Sequence, residues 1–262
     1  MPPSLPASFL LSLVTELKTP QVIGITMSGS YSRGQGTDFS DVDLQVYVTE
    51  KPAGLIGKLE TRLREGYLVS IHYGNLEAER AKLTEPWTAI WAVPGLRQSA
   101  ILHDPENLIA KLKQDAILFK WEPLQLRADQ FASAELATSA EEVYKILGGL
   151  ATQDESKVAY AITGLMMDMA EVVSVQRGLM IETENRYFDL VQESAGEDSE
   201  WTRLFRLALG AEHGPEHLPT YRTRGLASLG LYRETARLMD EIILNEHSEV
   251  IRVALEKIRE TT

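Results

Sequence analysis

The sequence predicts an α+β fold, in which an N-terminal α/β domain with a small mixed sheet precedes a C-terminal α-helical bundle. Three observations predict it. Strand and helix patterns alternate up to about residue 104. Beyond that point strand signals vanish while helical patterns continue to the end, which is the order expected of segregated layers. The chain has 262 residues, more than the usual single domain and enough for two cores. The expected boundary lies near residues 118–128, giving domains 1–120 and 121–262, with no internal repeat.

The elements follow in order. Residues 5–18 have the spacing of an amphipathic helix, and Gln21 to Met27 read as a short buried strand. Ser28 to Ser40 is rich in Gly, Ser, Thr and Asp and reads as a loop or short helical turn. From Asp41 to Val48 the pattern alternates, with Val42, Leu44, Val46 and Val48 on one face and Asp41, Asp43, Gln45 and Tyr47 on the other. Pro52 to Glu65 carries leucine and isoleucine at helical spacing, with Gly66 ending it before a strand from Tyr67 to Tyr73. Helical segments follow over Leu76 to Trp91, and Gln98 to His103 reads as a fourth strand. The remaining helices are expected over 106–118, 139–150, 155–177, 184–193, 200–209, 220–238 and 241–258.

Composition narrows the function. Lys and Arg total 26 against 38 Asp and Glu, a formal net charge of -12. Phosphate backbones are held by clustered cations, so nucleic acid is not expected as a partner. Residues 126–262 hold 14 basic and 24 acidic side chains, a field that would concentrate a cationic small molecule. With no cysteine there is no disulfide, thiolate nucleophile or Cys-ligated zinc, which fits a cytoplasmic setting. The first 20 residues lack the basic start of a signal peptide, and no apolar run reaches the roughly 18 residues of a spanning helix, so no membrane is expected.

One segment carries chemistry: Gly29-Ser30-Tyr31-Ser32-Arg33, then Ser40-Asp41-Val42-Asp43-Leu44. Residues two apart on a strand share a face and lie about 6.5 to 7 Å apart, so Asp41 and Asp43 can hold one or two divalent cations side by side. That spacing suits Mg2+, which completes its shell with water and phosphate oxygens. Gly29 and Ser30 follow the first strand and offer backbone N–H groups and a hydroxyl to the same phosphates, and Arg33 adds a cationic fork.

This ordered set resembles the nucleotidyltransferase superfamily that includes DNA polymerase beta, and within it the antibiotic nucleotidyltransferases of the kanamycin type. The motif match covers residues 24–48, and the two-domain plan is similar. The resemblance implies that Gly29, Ser30, Arg33 and Ser40 contact a triphosphate, that Asp41 and Asp43 are catalytic residues binding Mg2+, and that the substrate is ATP or another nucleoside triphosphate. It further implies transfer of a nucleoside monophosphate to a hydroxyl of a small acceptor, pyrophosphate leaving; a cationic acceptor such as an aminoglycoside suits both the resemblance and the acidic second half.

The sequence also departs from that pattern. The next strand reads Leu68-Val69-Ser70-Ile71-His72-Tyr73, with Ser70 where the family has a third carboxylate, and a hydroxyl is the weaker Mg2+ ligand. His72 shares the face of Ser70 and reads as a base, a supporting group or a structural histidine. The family's general base comes from an early helix of the second domain, where Glu142 is the candidate and Lys145 stands at the expected acid position. Two alternatives therefore stay open: a nucleotide-binding sensor or scaffold of the same fold, and an enzyme that modifies a protein hydroxyl. Oligomeric state, a homodimer included, is not set by the sequence.

The other features have plainer readings. Asp168 and Glu171 share a helix face and suit a local pair or a cationic ligand; Lys157 with Tyr160 reads as a solvated helix face. His213 and His217 have metal-pair spacing, but Gly214 and Pro215 between them argue for a loop.

Overall fold

The computed structural model describes residues 5–49, 59–215 and 218–261. The chain divides into two units, Met1–Trp121 with Met180–Thr183, and Glu122–Leu179 with Glu184–Thr262. The fold is α+β, with the mixed sheet in the N-terminal region and helices in the C-terminal part.

The first unit runs α1 (Ala7–Leu17), β1 (Val22–Ser28), α2 (Gly29–Ser32), β2 (Val42–Val48), β3 (Leu59–Arg64), β4 (Tyr67–Gly74), α3 (Leu76–Lys82), α4 (Pro86–Gln98), β5 (Ala100–His103) and α5 (Leu108–Ile117). Among the described residues the sheet has the order β3-β4-β2-β1-β5. All pairings are antiparallel except β2 with β4, which makes the sheet mixed.

Alternation gives the sheet two unlike faces. Ile25, Met27, Val42, Leu44, Val46, Val69 and Ile71 point to one side and close over Phe9, Leu13 and Leu17 of α1. Their strand neighbours, Ser28, Asp43, Gln45, Ser70 and His72, share the other face in register. The hydrophobic face thus orients β2, and its orientation fixes where the carboxylate of Asp43 points. A one-residue slip would bury Asp43 in the core and expose Leu44, so the register is strongly specified.

One expectation is overturned here. The helix expected over Pro52 to Glu65 is a strand over its described part: β3 pairs antiparallel with β4 through Leu63 opposite Leu68, while residues 52–58 lie outside the described residues. Glu65 at φ 50° and Gly66 at φ 88° form a two-residue hairpin turn, with both central residues at the positive φ such a connection requires. The strand expected from Asp41 begins at Val42, and the one expected from Gln98 begins at Ala100 after α4.

The second unit contains α6 (Gln125–Thr138), α7 (Ala140–Thr152), α8 (Glu155–Gln176), α9 (Tyr187–Ala195), α10 (Glu200–Leu209), α11 (Thr220–Leu238) and α12 (Asn245–Thr261). Helix α6 has no counterpart in the sequence reading. Its buried face is Ala128, Ala132, Ser133 and Leu136, too small and polar a stripe to register as periodic hydrophobicity. The buried serine is satisfied: Leu244 N–H donates to its Oγ at 2.9 Å, and His247 Nδ1 lies 2.9 Å away.

Helix α8 is long and apolar enough to cross a membrane by length and composition, against the expectation that no segment would be. Its apolar window is 61% buried, the pattern of a bundle's core helix. Met166 and Met169 are buried on it, as core filling requires. Of the histidine pair, His213 is exposed and His217 lies outside the described residues.

Candidate functional site

At the end of β1 the chain turns abruptly at Gly29, whose φ of 70° lies in the left-handed region open to glycine. A second constraint coincides with it. A Cβ at this position would run into the Asp43 carboxylate, so Gly29 provides both the turn and the space that Asp43 occupies. The following turn, α2, is closed by Gln35 N–H donating to Ser30 O at 2.9 Å and Gly34 N–H donating to Tyr31 O at 3.1 Å. Arg33 lies at its end, its Nε donating to Gln35 Oε1 at 3.1 Å and one terminal nitrogen 3.5 Å from the Glu182 carbonyl. Two of the guanidinium's five donors are thereby engaged.

Ser40 belongs to a compact turn. Its Oγ accepts from Thr37 N–H at 2.9 Å, its own N–H donates to Thr37 O at 3.1 Å, and Phe39 N–H donates to Thr37 Oγ1 at 3.2 Å. The turn leaves the Phe39 ring 99% exposed beside a cavity of about 360 Å³ walled by Tyr31, Tyr67 and Leu68.

Asp41 stands one residue before β2, and its carboxylate lies on the same side of the sheet as that of Asp43. Ser70, the register partner of Asp43 on the parallel strand β4, donates from Oγ to Asp41 Oδ2 at 2.9 Å. Asp41 is thus held by the hydroxyl of Ser70, while Asp43 occupies the space that the missing side chain of Gly29 leaves open. Two adjacent carboxylates with hydroxyls beside them are the hard oxygen donors that a Mg2+-sized cation prefers. Among the described residues no group of three or more acidic, histidine or cysteine side chains is placed to hold a metal, so the remaining ligands would be water and phosphate oxygens.

Behind the carboxylates this face of the sheet stays polar. His72 Nδ1 lies 2.7 Å from the side-chain amide of Gln45, a hydrogen bond that links β4 to β2 on this face. Deeper still, Tyr47 is buried, and burial first, then the nearby Glu79 charge, push its hydroxyl up to about 12, with a hydrogen bond to Thr26 acting the other way. Tyr47 therefore stays neutral at physiological pH.

Glu142 lies in the other unit, on α7. Lys145 Nζ approaches Glu142 Oε1 at 2.6 Å and Glu141 Oε1 at 2.8 Å, which raises the Lys145 ammonium and lowers Glu141. The Glu142 Oε2 atom is buried with no hydrogen-bond partner. Lys157 is at the start of α8, and Tyr160 is exposed with Lys145 5.9 Å from its ring centre.

Within the same unit Asp168 and Glu171 of α8 are joined by Glu135 of α6, an acid the sequence reading missed because it missed the helix. All three carboxyls are pushed above their ordinary range, each chiefly by burial; Glu135 also feels Asp168 and Glu171, Glu171 feels Asp168, and Asp168 feels Glu142 while Ser139 lowers it. Because their folded values are raised, the stability they contribute is present below the usual carboxylate range near about 4 and is lost as pH climbs through the raised values. Replacing Asp168 by asparagine should therefore raise Tm at pH 7, with the gain shrinking toward pH 4. Thermal unfolding across that range checks it, and an equal gain at both ends would contradict the burial argument.

Residues 10–87 match the nucleotidyltransferase domain family. The matched span contains Gly29, Ser30, Arg33, Ser40, Asp41, Asp43 and Ser70, and the match supports a nucleotidyl-transfer function with a nucleoside triphosphate substrate. The chain is also similar in structure to a nucleotidyltransferase-like protein from Exiguobacterium sibiricum, with a TM-score of 0.52 and 14% identity over 92% of this chain and 79% of that one. At that identity the likeness speaks for the fold. No curated protein matches the chain.

Proposed function

We propose that the protein transfers a nucleoside monophosphate from ATP, or another nucleoside triphosphate, to a hydroxyl of a small cationic acceptor such as an aminoglycoside. The acceptor oxygen forms a bond to the α-phosphorus, the bond to pyrophosphate breaks, and the hydroxyl proton passes to a base. The observation that carries this reading is the pair of carboxylates beside the turn at Gly29 and Ser30, Asp41 held by Ser70 and Asp43 filling the space left by Gly29.

In this reading Asp41 and Asp43 hold Mg2+, which when bound supplies charge neutralisation at the phosphate oxygens. Ser30 and Ser40 offer hydroxyl donors to the triphosphate, Gly29 lets the backbone approach it, and the remaining donors of Arg33 meet its negative charge. Glu142 is the base in this scheme by the resemblance, its Oε1 now ion-paired to Lys145 at 2.6 Å. The acids at 135, 168 and 171 support a cationic acceptor through their summed field. The cytoplasm, where nucleoside triphosphates and Mg2+ are abundant, is the matching compartment.

A nucleotide sensor of the same fold is the second reading, favoured by Ser70 in place of a third acid. Labelled ATP, Mg2+ and a panel of hydroxylated amines test both. Acceptor-dependent pyrophosphate release is expected of the enzyme; saturable Mg-ATP binding without turnover favours the sensor. The absence of both binding and release across the panel would overturn the proposal.

A further inference from the structure

Away from these residues, the helical unit carries a cavity of about 360 Å³ along α10 and α11, within the size range of small-molecule pockets. Its floor is apolar: Leu204 and Leu207 from α10, Leu226 and Ala227 from α11, and Leu218 from the segment before α11. Among the described residues its rim is cationic, with Arg203, Arg222 and Arg233 against one acid, Glu200. In a chain of net charge -12 this is a local reversal of sign.

The three arginines are not equivalent. Glu200 holds Arg203 through two hydrogen bonds of 2.7 and 2.6 Å, and Arg233 approaches Glu234 at 3.5 Å. Arg222 is exposed and makes no ion pair among the described residues. Arg222 and Arg233 are eleven residues apart on α11, about 16 Å along its axis. The groove is therefore an elongated apolar trough, and the guanidinium at one end is free of ion pairs among the described residues.

We propose that this groove binds a straight-chain alkyl carboxylate, the carboxylate on Arg222 and the chain along Leu218, Leu226 and Leu207. A guanidinium presents paired donors that match the two oxygens of a carboxylate. The apolar floor takes up methylenes, and the arginine rim repels a cationic head of the same length. This is a site separate from the transfer chemistry and stands whether or not that chemistry is correct.

Isothermal titration of the full chain with decanoate, octanoate and decyltrimethylammonium tests it. Decanoate is expected to bind saturably at one site below about 1 mM. Octanoate should bind more weakly, by about fourfold for each methylene removed, and the cationic amphiphile should not saturate the site. Arg222→Glu, at an exposed position, should weaken decanoate by about tenfold or more. Leu226→Trp should block the groove while circular dichroism shows the helices retained. Equal binding of the two head groups, an unchanged decanoate affinity in Arg222→Glu, or no saturable decanoate binding would each overturn the proposal.

Discussion

Gly29→Ala is expected to abolish Mg-ATP binding in a protein that remains folded. Two costs arise at one position. The backbone must keep a φ of 70°, where an alanine Cβ loses about 1–2 kcal/mol against glycine. The new methyl must also share space with the Asp43 carboxylate. The first cost is small beside a typical folding stability of about 5–15 kcal/mol, so the fold survives with a lowered Tm. The second falls on the proposed metal ligand itself, because Asp43 must rotate or shift away from the added methyl. A misplacement of about 1 Å is enough to cost around a hundredfold in a positioned reaction. Titration with Mg-ATP and a thermal melt on the same preparation separate the two effects. Near wild-type nucleotide affinity in this variant would mean that Asp43 is not a metal ligand, and the proposed chemistry would lose its centre.

Much of this site is legible in the sequence because its parts are consecutive. A buried strand, a glycine bend and an alternating strand lie between Val22 and Val48, and the alternation of β2 dictates that Asp43 leaves the core face. What the sequence does not disclose is contact between segments. The hydrogen bond from Ser70 to Asp41 depends on the parallel pairing of β2 with β4, and no local pattern specifies which strands become neighbours. The missed β3 shows a different ambiguity. Leu59 and Leu63 are four apart, a spacing that falls on one face of a helix and equally on one face of a strand. Gly66 then ends a helix and turns a hairpin with equal economy, and only its pairing with β4 decides. In α6 the signal itself is weak, since alanine and serine fill the buried positions where a leucine stripe would have announced a helix.

The sharpest test of the departure at position 70 is Ser70→Asp, for which the expected result is a protein whose stability depends on a divalent cation. The serine hydroxyl now donates to Asp41 at 2.9 Å; an aspartate there replaces that donor with a third negative charge in register with Asp43. Like charges this close raise one another's carboxyl pKa. By linkage the folded state then gains relative stability below the ordinary carboxylate range and loses it as pH rises through the raised values. With a chelator at pH 7, Tm should fall by several degrees, at about 2–4 °C per kcal/mol for a chain somewhat under this size. Adding Mg2+ or Mn2+ should restore it, because a cation bound only by the folded state stabilises in proportion to its saturation. Ser70→Ala removes one partly buried hydrogen bond, about 0.5–1.5 kcal/mol, and its loss should be indifferent to the cation. The contrast between the two variants isolates charge from packing. If Ser70→Asp melts alike with chelator and with cation, the carboxylates at 41, 43 and 70 do not converge on a common ion, and the pairing of Ser70 with Asp41 serves the sheet alone.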